Sequence, residues 1–142
     1  MEYKVTPLSH EHLDKLLDQV SLGIESTALR QSYFSPGSIS YCLLANGEPV
    51  FAGGIVNLMW NRGEAWVLPT RFFRNHLKTC FKVLRDMISK AAKEGSFKRV
   101  QATCAVTVSA KLFEHLGFEH EGTMKCFGPR GEDCLMYARL FR

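Results

Sequence analysis

Residues 64–87, EAWVLPTRFFRNHLKTCFKVLRDM, change from a strand pattern to a helix pattern across one polar turn. The strand pattern ends at Pro69, and the turn contains Arg71 and Arg74. Beyond the turn, apolar residues recur at helical spacing and form one stripe: Leu77, Phe81, Leu84, Ile88 and Ala91. This spacing predicts a long helix that ends at Gly95 in a left-handed conformation. Because helix N-termini attract anions, the turn is a candidate phosphate cradle.

The residues before this stretch predict two helices and a set of antiparallel strands. YKVTPL, residues 3–8, reads as a strand, and Ser9 is placed to cap the helix that follows it, which is predicted to end at Gly23. Residues 24–34 form a weaker helical pattern, closed by a Ser-Pro-Gly turn. Two apolar runs then flank Asn46-Gly47, which predicts a tight hairpin. A further turn at residues 61–63 returns the chain into the strand of residues 64–68.

The residues after the long helix predict a strand, a short helix and a closing hairpin. KRVQATC alternates in polarity, with Val100, Ala102 and Cys104 on one face. Thr107 is placed to cap a helix over residues 108–116, and a turn at 128–131 joins the last two strands. The order predicts an α/β fold, a mixed and mostly antiparallel sheet with helices on both faces, in a single domain over residues 1–142.

Composition excludes several classes of protein. The chain has 142 residues, 46% of them hydrophobic, and a net charge of +4, too small an excess for a nucleic-acid-binding pattern. The five cysteines are widely spaced, which predicts neither a disulfide framework nor a metal site. His115 and His120 lack a third ligand at suitable spacing. With no predicted signal peptide or membrane span, we expect a cytoplasmic protein.

The element order, together with a helix C-terminus that reads LFEHLGFEHEG, resembles the GNAT superfamily of acetyl-CoA-dependent N-acetyltransferases across nearly the whole chain. Within it, the sequence is most similar to small GNAT-like proteins of short-tailed bacteriophages. The motifs that carry this likeness are Trp66 to Thr70 at the strand end, His76 in the turn, and Phe81 with Leu84-Arg85 in the helix.

The resemblance implies a binding site for acetyl-CoA. Val67 and Leu68 would face the pantetheine arm between splayed strands, and the amides of residues 74–77 would hold the pyrophosphate. The glycines of the family's phosphate motif are replaced by Asn75 and Leu77. Leu77 belongs to the apolar stripe, so we expect it to point inward. Arg71, Arg74 and His76 could supply charge in place of close amide contact. The alternatives are that the two arginines are solvated surface residues and that His76 is a helix-terminal residue with no chemical role.

The resemblance also implies a general acid, and the chain departs from the family there. A frequent Asn falls on Val106, and the Tyr that protonates the departing thiolate falls on Phe113, which has no proton to donate. In an open cleft, water can take that role. Lys78, Lys82, Arg85 and Lys111 form a basic face that is either solvated or receives the ribose phosphate of CoA or an acidic partner.

Two residues are candidates for the chemistry itself. Glu64 lies early on the fourth strand, where many members place the base that deprotonates the amine; an exposed strand-end carboxylate is the alternative. Trp66 shares its face and is either a wall of the cleft or a core residue. Cys104 lies near the expected thioester position, so a ping-pong route is conceivable, although such cysteines are more often small buried hydrophobes.

The sequence therefore favours an acyltransferase that transfers the acetyl group of acetyl-CoA to an amine by direct attack. The alternative is an inactive GNAT-like protein that binds a host or virion protein, since fold does not fix function. Nucleic-acid binding is the weakest hypothesis, because no binding motif is present.

Overall fold

A computed structural model describes residues 2–19, 26–68, 70–105 and 111–142, the side chains of residues 26 and 105 excepted. The strands are β1 (Tyr3–Pro7), β2 (Ile39–Ala45), β3 (Glu48–Met59), β4 (Arg62–Val67), β5 (Arg99–Ala105), β6 (Glu119–Met124) and β7 (Cys134–Leu140). The helices are α1 (His10–Leu17), α2 (Ser26–Tyr33), α3 (Arg71–Asn75), α4 (Leu77–Glu94) and α5 (Lys111–His115). The predicted helix terminus at Gly23, the cap at Thr107, and Val106 and Val108 lie outside the described residues.

The strands form one sheet in the order β1-β2-β3-β4-β5-β7-β6. Neighbouring strands are antiparallel except β4 and β5, which are parallel. The predicted mixed, mostly antiparallel sheet is therefore confirmed. The hairpin at Asn46-Gly47 is also confirmed, because both residues have positive φ angles of 50° and 84°.

Hydrophobic cores cover both faces of the sheet, as predicted. On one face, α4 packs Leu84, Met87, Ile88 and Ala91 against Phe51 and other inward residues of the strands. On the opposite face, α1 contributes Leu13 and Leu16, which pack with Cys42 and Leu68. Ser9 caps α1 by accepting a hydrogen bond from the His12 amide over 3.1 Å. No helix in the described parts of the chain is long and apolar enough to cross a membrane.

The β3–β4 turn lies earlier than the sequence predicted. The left-handed residues are Trp60 and Asn61, with φ angles of 54° and 62°, whereas Arg62 and Gly63 already belong to β4. A bulge near Leu58 shifts the register of the two strands by one residue. The indole of Trp60 is consequently 80% exposed at the hairpin tip.

Two predictions about α4 are wrong. Leu77 is 46% exposed, and the buried stripe begins one turn later at Cys80. Gly95 has a φ of −85°, and the left-handed residue after the helix is Ser96, with a φ of 55°. Gly95 is nonetheless suited to its place, because a Cβ there would lie 2.3 Å from the Phe97 ring. The helix end is thus shaped by packing of Phe97 beneath it.

Candidate active site

Strands β4 and β5 diverge and open a V-shaped gap in the middle of the sheet. Their pairing extends only over Arg62–Arg99, Gly63–Val100 and Glu64–Gln101. Beyond these pairs, β4 remains bound to β3 on its other side, and β5 remains bound to β7. The sheet therefore splits into two halves along the last residues of β4, as the family resemblance implied.

Backbone groups of β4 point into this gap. The Leu68 amide donates to the Ala52 carbonyl of β3 over 3.0 Å. Because backbone groups alternate sides along a strand, the N–H and C=O groups of Ala65 and Val67 point away from β3, toward β5. No described residue of β5 pairs with Ala65 or Val67. These groups are a free strand edge to which an amide-bearing ligand can hydrogen-bond.

A cavity of about 390 Å³ occupies the gap and reaches both faces of the sheet. Toward α4 and α5 it is lined by apolar side chains: Leu84, Ile88, Leu112, Phe113, Leu116 and Phe118. Toward α2 it is lined by a second group: Leu29, Ser32, Tyr33, Val56, Glu64, Trp66 and Thr103. Ala65 and Val67 of β4 lie between the two groups. A cavity of this size is at the lower end of the usual range for small-molecule sites.

Glu64 is the one charged side chain among the described residues that line this cavity. Burial raises the pKa of its carboxyl group above the ordinary value, and a hydrogen bond from the Thr103 side chain partly opposes that rise. Glu64 lies directly opposite Val56 of the neighbouring strand β3, so an apolar side chain flanks its carboxyl group. A half-buried carboxylate with a raised pKa is suited to accept a proton near neutral pH.

Trp66 and Tyr33 form one wall of the cavity on the α2 side. Their rings stack with centroids 3.5 Å apart and planes inclined by 5°. Tyr33 is buried, and burial raises the pKa of its hydroxyl to about 12. The Tyr33 hydroxyl is therefore protonated at neutral pH. The sequence left open whether Trp66 is a wall of the cleft or a core residue. Trp66 is both, because it packs against the α1–α2 core and also lines the cavity.

The predicted polar turn is a helix. Arg71–Asn75 form α3, capped by the buried Thr70, whose side chain accepts from the Phe73 amide and donates to the Val50 carbonyl. Phe73 packs into the core, and Phe72 is partly buried beside it. Thr70 was the available signal, since a threonine before a run without glycine or proline favours a helix start.

This helix changes which amides could hold a phosphate. The Arg74 amide donates to the Thr70 carbonyl over 3.2 Å, and the His76 amide donates to the Phe73 carbonyl over 3.3 Å. At least two of the four amides assigned to residues 74–77 are therefore already paired. The first amides of α4, those of Leu77, Lys78 and Thr79, have no acceptor within a helix, and His76 makes no side-chain cap hydrogen bond.

The remaining predicted residues differ in how they are placed. Arg71, Arg74 and Asn75 are exposed on α3. His76 is exposed too, but its ring stacks on Phe72 at 4.0 Å and its Nδ1 lies 3.0 Å from the Phe72 carbonyl oxygen. Leu68 is 1% exposed and packs in the α1–α2 core, so its side chain does not line the gap.

The two predicted residues on β5 and α5 differ, because Phe113 lines the cavity and Cys104 does not. Phe113 lines the cavity and stacks on Tyr137, with centroids 5.3 Å apart. Cys104 is half-buried and packs against the α4-side core. Burial, with a smaller contribution from Cys134, raises the pKa of the Cys104 thiol, so the reactive thiolate is disfavoured.

The sequence reasoning did not assign Thr103, Leu29 or Tyr33 to the cavity. Thr103 was indicated by strand alternation, which places it with Gln101 on the face opposite Val100 and Ala102. Leu29 and Tyr33 were indicated by their four-residue spacing on α2. In each case the pattern identified a face but not the cavity that the face lines. Among the described residues, no group of His, Cys, Asp and Glu side chains is arranged to hold a metal ion.

The geometry fits an acyl-pantetheine arm: a free β4 edge, an apolar cavity through the sheet, and an uncapped helix N-terminus. No family model matches the sequence. The chain is 33% identical over 96 residues to the uncharacterized N-acetyltransferase YjgM of Escherichia coli K12, a match over 65% of this chain and 58% of that protein.

Solved structures resemble the chain over almost its full length. A GNAT-family acetyltransferase of Streptococcus pneumoniae aligns with a TM-score of 0.78 and 16% identity, covering 99% of this chain and 100% of that one. A Bacillus subtilis acetyltransferase in complex with CoA aligns at 0.74 and 14%, covering 99% and 100%. A ribosomal-protein-alanine N-acetyltransferase of Brucella melitensis aligns at 0.75 and 16%, covering 97% and 99%. The chain has the fold of the GNAT acetyltransferases.

Proposed function

We propose that this protein is an acyltransferase that uses acetyl-CoA to acylate an amine by direct attack. The observation that carries the proposal is the gap between β4 and β5, with free backbone groups on Ala65 and Val67 and a carboxyl group of raised pKa beside them. The sequence similarity to an N-acetyltransferase and the GNAT fold support the same class of reaction.

In this proposal the backbone of Ala65 and Val67 orients the pantetheine arm, and Phe113 packs against it in the gap. When bound, acetyl-CoA supplies the acyl group as an activated thioester. Glu64 accepts a proton from the amine, whose nitrogen then forms the bond to the acyl carbon as the carbon–sulfur bond breaks. The leaving thiolate takes its proton from water, because Phe113 replaces the tyrosine that the family uses.

The phosphates of CoA would lie at the start of α4. Leu77, Lys78 and Thr79 would supply amides, and Arg71 and Arg74 are exposed on the adjoining α3. Neither arginine belongs to an ion pair formed by the described residues. Asn75 and His76 would line this site without close backbone approach. Exposed arginines that are not neutralised by protein carboxylates are suited to bidentate phosphate contacts.

Direct attack is favoured over a ping-pong route through Cys104. The thiol has a raised pKa and packs with the core, so it is a poor nucleophile at neutral pH. Glu64, by contrast, lines the cavity directly.

A second candidate function is a binding protein on the same fold. It is favoured by the pairing of the Arg74 and His76 amides within α3, which removes part of the expected phosphate cradle. In this case the partner would be a host or virion protein, consistent with the motif likeness to short-tailed phage proteins, and the site of action would be the host cytoplasm.

Thermal unfolding with acetyl-CoA, CoA and ATP in parallel separates the two functions. Binding at about 100 times the dissociation constant adds about 2.7 kcal/mol to the free energy of unfolding. For a domain of this size we expect both CoA compounds to raise the Tm by roughly 5–10 °C, and ATP to raise it less. An unchanged Tm at millimolar CoA would contradict the acyltransferase and leave the binding protein as the leading function.

A further inference from the structure

The α2 side of the cavity has a composition that selects among amines. Its aromatic and aliphatic side chains are Tyr33, Trp66, Leu29 and Val56, and its one charge is Glu64. These residues lie on the face of β4 opposite the α4 and α5 side, where the acyl group would enter. An acceptor amine would therefore reach Glu64 across this apolar surface.

The charges of the described lining residues do not match two common kinds of amine. A polyamine carries several positive charges and needs several carboxylates, but the described residues of the cavity provide only Glu64. An amino acid carries a carboxylate that needs a cation, and none of the described lining residues is lysine, arginine or histidine. Either ligand would leave a charge desolvated and unpaired.

Apolar contact favours a different ligand. The stacked rings of Tyr33 and Trp66 present a rigid wall, and aromatic groups pack well against such walls at low entropic cost. Leu29 is half-buried on α2, so part of its side chain is available for contact. Removing apolar ligand surface from water at these residues is favourable in proportion to its area.

We infer that the acceptor is a small primary amine with one positive charge and an apolar, preferably aromatic, body, which packs against Tyr33, Trp66 and Leu29 while its nitrogen reaches Glu64. This inference rests on the proposed acyl transfer for its chemistry. The class of ligand, however, follows from the cavity alone and can be tested by binding.

The test compares 2-phenylethylamine with ethanolamine and spermidine. Acetyl transfer is followed by release of the CoA thiol, and we expect kcat/KM for 2-phenylethylamine to exceed that for either polar amine at least tenfold. Binding is measured separately, without CoA, from the fluorescence of Trp66. The Trp60→Phe variant leaves Trp66 as the sole indole, since the chain has two tryptophans.

Two matched leucine variants test whether the α2 side of the cavity causes the preference for 2-phenylethylamine. Leu29→Gln places a polar group in the cavity and should reduce the preference for 2-phenylethylamine at least tenfold, with the CoA-induced Tm shift unchanged. Leu58→Gln makes the same change at the exposed hairpin tip, outside the cavity lining, and should leave the preference intact. If Leu29→Gln proves unstable, Leu29→Ala is the substitute, with the same expected direction.

The outcomes separate this inference from the proposed function. Faster transfer to ethanolamine or spermidine would overturn the inference and leave acyl transfer standing. With no transfer to any amine and no Tm shift with CoA, the proposed function fails; selective binding of 2-phenylethylamine would then still support the inferred ligand class. If 2-phenylethylamine neither changes the Trp66 fluorescence nor is acylated, the inference is overturned.

Discussion

Glu64 combines three features that a general base needs. It lines the cavity, it is partly removed from water, and its carboxyl pKa is raised by that burial. The Thr103 side chain bonds the charged form and limits the rise. At the residue scale, therefore, the environment of Glu64 differs from that of an exposed strand-end carboxylate, which was the alternative reading of the sequence.

The first prediction concerns the pH dependence of transfer. Because the pKa of Glu64 is raised, the base is protonated at a higher pH than an ordinary glutamate, and kcat/KM should fall as the pH drops through that pKa. Glu64→Gln should lower turnover by about 10²-fold or more and remove this acidic limb. Glu119→Gln, at an exposed position of β6, is the control. A Glu64→Gln enzyme with wild-type turnover would remove this residue from the mechanism.

The same substitution should increase stability. The folded chain binds the Glu64 proton more tightly than the unfolded chain, so the free energy of unfolding falls as the pH rises from the ordinary value through the raised pKa. Above that window the ionised carboxylate destabilises the fold, and Gln carries no charge. Glu64→Gln should thus have a higher Tm than wild type at pH 7, with the difference vanishing below about pH 4. A lower Tm at pH 7 would contradict the burial argument.

At the scale of elements, the cap of α3 matters more than its charges for the shape of the proposed phosphate site. Thr70 is fully buried and joins α3 to β3 through its hydrogen bonds to the Phe73 amide and the Val50 carbonyl. Phe73 anchors the helix in the core beside Phe51, with ring centroids 5.2 Å apart. These contacts fix where α4 begins.

Loss of this cap should weaken both the fold and the site. Thr70→Val keeps the shape of the side chain but removes both hydrogen bonds, so we expect a loss of about 1–2 kcal/mol in the free energy of unfolding, measured in urea. Thr70→Ser retains the hydroxyl and should recover most of that loss. Thr123→Val, exposed on β6, should be within about 0.5 kcal/mol of wild type. Equal stability of the Thr70 and Thr123 variants would show that the cap is unimportant.

At the scale of the whole molecule, the site exists because the sheet splits. Within the described part of the chain, the β1–β4 half and the β5–β7 half share three residue pairs, and the cavity passes through the sheet where this pairing stops. Each half keeps its own antiparallel partners, so the gap costs β4 and β5 few hydrogen bonds with their other neighbours. A ligand with amide groups can therefore complete the sheet.

Amide hydrogen exchange tests, residue by residue, whether CoA forms hydrogen bonds with the free edge of β4. The Ala65 and Val67 amides should exchange quickly in the free protein and become protected when CoA binds. The Leu68 amide already donates to Ala52 and should change little, which makes it an internal control. Protection of Leu68 alone, or none along β4 at saturating CoA, would contradict the proposed position of the pantetheine arm.

Local patterns in the sequence were sufficient for the elements. Period-two and period-3.6 spacing, the Asn46-Gly47 turn and the Ser9 cap predicted the order of strands and helices, because each depends on neighbours within a few residues. The exceptions were also local. Trp60 took the left-handed position in place of a glycine, and α3 formed within a polar stretch that lacked an apolar period.

Tertiary structure alone decided which side chains meet. The inward face of α4 starts at Cys80 rather than Leu77, since α3 turns the first residue of α4 toward solvent. The family resemblance assigned Leu68 to the gap, but its side chain packs with α1 in the core on that face of the sheet. Thr103, Tyr33 and Glu64 come from three different elements, so no spacing along the chain could have placed them around one cavity.

Short-range periodicity and turn chemistry were therefore sufficient for the order of elements and the fold class, whereas the candidate role of Glu64 came from the family resemblance. The tertiary structure decided the width of the β4–β5 gap, the pairing of the Arg74 and His76 amides, and the apolar wall of Tyr33 and Trp66. The physical reason is that a cavity is formed by residues distant in sequence, whose contacts depend on how the two cores pack against opposite faces of one sheet.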